Sequence, residues 1–110
     1  MKGLCILALM LMVPVSHAQQ IQFLEQKTAF CYSKKALAKY LNHAEQRNLD
    51  GMNNLVLNGK CGFVPDGEVV RLKKYEIKTI GKRPVVRFKM NNNVCWTPKV
   101  LVQTADFSNL

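Results

Sequence analysis

Side chains that carry chemistry are scarce in this chain. Of its 110 residues seven are acidic, two are histidine and one is tryptophan, and neither a Gly-rich phosphate loop nor a Cys-x-x-Cys pair occurs. The carboxylates are scattered, so no close pair is placed to drive two pKa values apart as glycoside hydrolysis requires. Without a phosphate loop the common nucleotide-binding motif is missing. Nothing in the spacing sets a thiolate beside His43 for nucleophilic catalysis, and the cysteines lack the spacing of a zinc site. The sequence therefore predicts no catalytic residue, no metal and no cofactor. Binding, rather than catalysis, is the class of function expected.

Long apolar runs are absent as well, except at the start. Lys2 precedes an uncharged apolar stretch over residues 4–15, followed by the small-x-small triplet Ser16-His17-Ala18. A basic start, a short apolar core and small residues make a secretory signal peptide over residues 1–18, with cleavage after Ala18. The run is too short for a membrane span, which needs ~20 apolar residues. Cys5 opens the run instead of following it, so it is discarded with the leader and does not carry a lipid. Export leaves 15 basic residues against 7 acidic ones, a formal charge of +8. The expected product is periplasmic or secreted, has no transmembrane segment and forms one small domain that profits from a covalent staple.

Cys31, Cys61 and Cys95 remain to supply that staple in a compartment where disulfides persist. Three is odd, so one thiol is left over. Cys31 with Cys61 is favoured, because that bond fastens a helical segment onto the first strand of the later β region. Cys61 with Cys95 is the alternative and joins two strands within that region.

Along the chain, residues 19–30 are polar and mixed and read as a loosely ordered arm. Residues 31–59 read as helical. Ser33 is placed to cap, Tyr32 and Leu37 suit a hydrophobic staple, and Ala36, Leu37, Tyr40, Leu41 and Ala44 share one face. A second, shorter helix is expected from an Asp50 cap to Gly59, which is suited to the left-handed conformation that ends helices. From residue 60 to 104 the period changes to short β-branched and aromatic runs. Pro65-Asp66-Gly67, Gly81-Lys82-Arg83-Pro84 and Asn91-Asn92-Asn93 punctuate them. The clearest alternation sets Val86, Phe88 and Met90 on one face and Val85, Arg87 and Lys89 on the other. Residues 105–110 read as a tail.

The stretch from Cys61 to Val102 resembles bacterial SH3-like domains. A Pro-x-Gly turn leads into Glu68-Val69-Val70-Arg71-Leu72, Val85-Val86-Arg87-Phe88 is central, and Trp96 is followed by Thr97-Pro98-Lys99-Val100-Leu101. The resemblance, together with five short strands in ~45 residues, implies an α+β fold. In it an amino-terminal helix, with a possible short second one, packs on a small five-stranded β-barrel. The acidic and aromatic loop with which eukaryotic SH3 domains hold proline-rich peptides is absent, so only the fold is carried over.

One functional signal remains. Lys73, Lys74, Lys78, Lys82, Arg83, Arg87 and Lys89 crowd into a short stretch in which Glu76 is the only acid. Such a stripe attracts anions, or else merely keeps a small protein soluble. Nucleic acid is disfavoured by export and by the lack of aromatics interleaved with the charges. The expected function is a non-enzymatic binding module of the bacterial cell envelope, with an anionic envelope component or an acidic protein as partner. The expected contact residues are Lys73, Lys74, Tyr75, Arg83, Arg87, Lys89 and Trp96. A secreted inhibitor or immunity-type protein, and a small structural subunit of an envelope complex, are the alternatives.

Overall fold

A computed structural model of the protein describes residues 20–106, so the expected signal peptide and its cleavage site lie outside the described residues. The first of these, Gln20–Leu24, form strand β1, and Leu24 at its end is fully buried. A turn with Lys27 in the left-handed region (φ 66) leads to β2, Ala29–Cys31, whose three residues are all buried. An unbroken apolar run is what a strand covered on both faces requires.

The chain then leaves the sheet. Ser33 accepts a hydrogen bond of 3.0 Å from the Ala36 amide and caps helix α1, Lys34–Glu45, whose Ala36, Leu37 and Tyr40 are buried. Arg47 (φ 54) reverses the chain, and Asn48 accepts 3.0 Å from the Gly51 amide to cap helix α2, Leu49–Leu57. Asn48 thus takes the capping role expected of Asp50, which lies in the first turn. Gly59 (φ 74) ends α2, with the Lys60 amide reaching back to the Leu55 carbonyl at 2.9 Å. The next strand, β3, Cys61–Phe63, pairs antiparallel with β2, with Cys61 opposite Cys31. These two cysteines form a disulfide, so the helical hairpin is an excursion between neighbouring strands that is tied at its base.

Five further strands complete the chain: β4, Val70–Arg71; β5, Tyr75–Ile80; β6, Arg83–Met90; β7, Asn93–Pro98; and, after a 3₁₀ turn over Lys99–Leu101, β8, Gln103–Asp106. Two-residue turns join β5 to β6 through Gly81 (φ 61) and Lys82, and β6 to β7 through Asn91 (φ 51) and Asn92 (φ 68). Paired positive φ values in the second turn match the twist of a hairpin. One antiparallel sheet has the order β3-β2-β7-β6-β5, the other β4-β1-β8.

The layers are a helical hairpin, the larger sheet and the smaller sheet. Leu37, Tyr40 and Leu55 pack with Ala29, Cys31, Cys61 and Val85 on one face of the larger sheet. Leu24 and Leu72 from the other side pack with Phe30, Val86, Phe88 and Cys95 on the opposite face. Adjacent Val85 and Val86 are both essentially unexposed, each in a different core.

The expected architecture of an amino-terminal helix on a closed SH3-like barrel does not form. Both helices follow a strand-rich start, and the strands make two open antiparallel sheets. The reason lies in the segment read as a loose arm. Its β1 becomes the centre of the smaller sheet and its β2 enters the larger one between β3 and β7, so the later strands do not close on themselves. Within the β region expected over residues 60–104, Lys99–Leu101 form the 3₁₀ turn, and the last strand, β8, extends into the segment read as a tail. Among the described residues no helix is long and apolar enough to cross a membrane.

Candidate functional site

Strand alternation decides which of the basic residues meet. On the helix-covered face, register aligns Cys31, Trp96, Arg87 and Glu76 in one row across β2, β7, β6 and β5. Arg87 donates to Glu76 Oε1 at 2.7 Å, and Lys78 Nζ lies 3.3 Å from Glu76 Oε2. The Lys78 ammonium, hydrogen-bonded and attractive, holds the Glu76 carboxyl below its usual range, with Arg87 adding to the effect. Arg83 is engaged too, in an ion pair with Glu45 of α1. Trp96 is partly buried against the helix-side core. Tyr75 points to the opposite face of the sheet, in register with Phe88, and Lys74 is exposed before β5.

Lys73 and Lys89 are brought together elsewhere. A cleft of about 740 Å³ is walled by Phe30, Tyr32, Phe63, Pro65, Val69, Val70 and Met90, with Asn91 at its side. Arg71, Lys73 and Lys89 supply its cations, and Glu68 is the one carboxylate lining it. Tyr32 and Phe63 keep 42% and 46% of their surface exposed, a large apolar area to leave in water unless something covers it. The Phe30 ring meets Tyr32 edge-on at 5.5 Å and fixes the angle of that wall. Of the seven residues expected from sequence, two line this cleft. Arg71, Tyr32 and Phe63 were missed as contact residues: Tyr32 reads as a helix staple, Arg71 falls just before the basic stripe, and nothing local marks Phe63.

The cysteines sort by the same alternation. Cys31 and Cys61 belong to the helix-side core and Cys95 to the opposite one, so a Cys61–Cys95 bond would have to pass through the sheet. Burial pushes the Cys95 thiol up to about 11, which keeps it protonated and unreactive at neutral pH. His43 is a joint residue of the helical hairpin. Its Nδ1 lies 3.2 Å from the Asn48 side-chain amide, and its ring rests on Gly51 so closely that a Cβ there would fall into it. Among the described residues no cluster of three potential metal ligands occurs. What the cleft offers chemically is positive charge beside flat apolar surface. Compared with known proteins, the chain matches no family model, no curated protein and no solved structure.

Proposed function

We propose that this chain is an exported, non-enzymatic binding module of the bacterial cell envelope, and that its aromatic and basic cleft grips an anionic envelope component. The observation that carries the reading is the convergence of Arg71, Lys73 and Lys89 on one cleft beside exposed Tyr32 and Phe63. Arg83 and Arg87 already have carboxylate partners and contribute less. Export is supported by the sequence of the leader and by the Cys31–Cys61 disulfide, a bond that persists in oxidising compartments. The shared chemistry of the ligand is a phosphate or carboxylate next to an apolar part, whether lipid headgroup or wall polymer.

The test measures binding to vesicles rich in anionic phospholipid and, separately, to soluble anionic wall polymer, each across a salt series. The expected result is affinity that falls as salt rises, a loss of about tenfold or more in Arg71→Glu/Lys89→Glu, and a smaller loss in Tyr32→Ala. Binding that ignores both salt and the charge reversals removes the proposal. The two arms tell the lipid from the polymer.

A further inference from the structure

Strand β5 ends the larger sheet, so one side of its backbone has no neighbouring strand among the described residues. Which amides face outward is set by the hairpin. The two-residue turn makes Ile80 and Arg83 a hydrogen-bonded pair, and the alternation of an antiparallel ladder then bonds Lys78 and Glu76 to β6. Tyr75, Ile77 and Thr79 are left with their N–H and C=O groups pointing away from the sheet. Natural edges are shortened, bulged, covered or charged to prevent indiscriminate pairing; β5 is neither short nor covered, running for six residues with Ile77 56% exposed, and its charges, Glu76 and Lys78, restrict which strand can join it. Tyr75 and Ile77 line a notch together with Val86 and Val102 and with the polar Gln22, Lys99 and Thr104, of which Gln22 and Thr104 belong to the smaller sheet.

We propose that this edge takes an extended, acidic segment of another protein as an added antiparallel strand. Charge identifies the occupant. Lys74 and Lys82 flank β5 with no carboxylate partner among the described residues, while Lys78 on the strand and Arg87 beside it share its single carboxylate, Glu76, so that the cations stay in excess. An added strand bonded to Ile77 has its close, non-hydrogen-bonded pairing opposite Lys78, where side chains approach most nearly. The segment therefore alternates acidic residues, one opposite Lys78, with apolar residues over the Ile77 notch. The same lysines repel a second copy of this basic chain. Main-chain bonds supply affinity and the alternating contacts supply selectivity, as in strand addition generally. The edge is distinct from the aromatic cleft and stands whether or not that cleft binds its anion.

The experiment titrates the folded, oxidised protein with an eight-residue peptide of alternating glutamate and valine, and with its lysine and valine counterpart. Amide exchange is followed by NMR. The glutamate peptide is expected to slow exchange at Tyr75, Ile77 and Thr79 by about tenfold or more, and the lysine peptide to leave it unchanged. Thr79→Pro removes one outward amide while leaving the bonds to β6 in place, and is expected to weaken binding about tenfold with the β6 and β7 resonances unmoved. Lys78→Glu is expected to reverse the preference between the peptides. Absence of binding, or equal binding by Thr79→Pro, overturns the proposal. Loss of binding in Arg71→Glu with the edge intact would put the peptide in the cleft instead. Protection of these amides in the protein alone would assign the edge to self-pairing.

Discussion

At the β3-β2-β7 end of the larger sheet, Cys31 is fully buried, the helical hairpin lies on one face, the smaller sheet lies on the other, and a disulfide joins β2 to β3. At the β5 end, the side chains from Tyr75 to Thr79 are all exposed, cations outnumber the one carboxylate, Glu76, and the backbone edge has no partner strand among the described residues. One sheet thus has a half closed by packing and a half left to solvent. The difference teaches where energy resides. Apolar area and a cross-link stabilise the closed half, while surface ion pairs of the open half are worth little each.

The sharpest way to break the contrast is to cut the staple. Replacing both Cys31 and Cys61 by Ser is expected to cost about 3–4 kcal/mol on the chain-entropy account of a loop this long, and to lower Tm by roughly 15 °C or more. Calorimetry of the oxidised parent and the variant checks it. A loss below ~1 kcal/mol would mean that packing alone holds the hairpin down. Next comes Gly51→Ala, which forces a methyl group against the His43 ring and is expected to cost about 1–3 kcal/mol. Urea unfolding should show much of that loss recovered in His43→Ala/Gly51→Ala, because the clash partner is gone.

The open half should respond least. Glu76→Gln is expected to leave stability at neutral pH nearly unchanged, as chemical denaturation of the two proteins would show. The pH dependence has a definite sign: the folded-state pKa of Glu76 is lowered, so its contribution is complete above the ordinary carboxylate range and is lost as pH falls through the depressed value. An NMR titration of the Glu76 side chain should show the pKa rise back more in Lys78→Ala than in Arg87→Ala, since Lys78 is the stronger influence.

Much of the closed half was legible locally. The Ser33 cap, the stripe of Ala36, Leu37 and Tyr40, the left-handed Gly59 and the alternation of β6 are signals carried within a few residues. Pairing between distant segments was not. Residues 20–24 look polar because β1 is only partly buried until Leu24, and nothing near them announces that Phe23 will pair with Gln103 on one side and Arg71 on the other. That single misreading turned two open sheets into an expected barrel. The candidate site suffered the same way. A cluster of basic residues in sequence is divided by strand alternation, and Glu45, which occupies Arg83, arrives from a helix far off in the chain. Lys73 and Lys89 converge only because the smaller sheet folds back against the larger one.

The placement of the three sulfurs also bears on how the protein matures. The three cysteines among the described residues allow three bonds, yet Cys95 lies on the far side of a sheet from the other two. A chain that oxidises after its strands have paired has one product open to it, and the odd sulfur is sealed from later exchange. In the folded chain the pleat thereby acts as a filter on oxidation, admitting one cross-link among these three sulfurs and screening the other two.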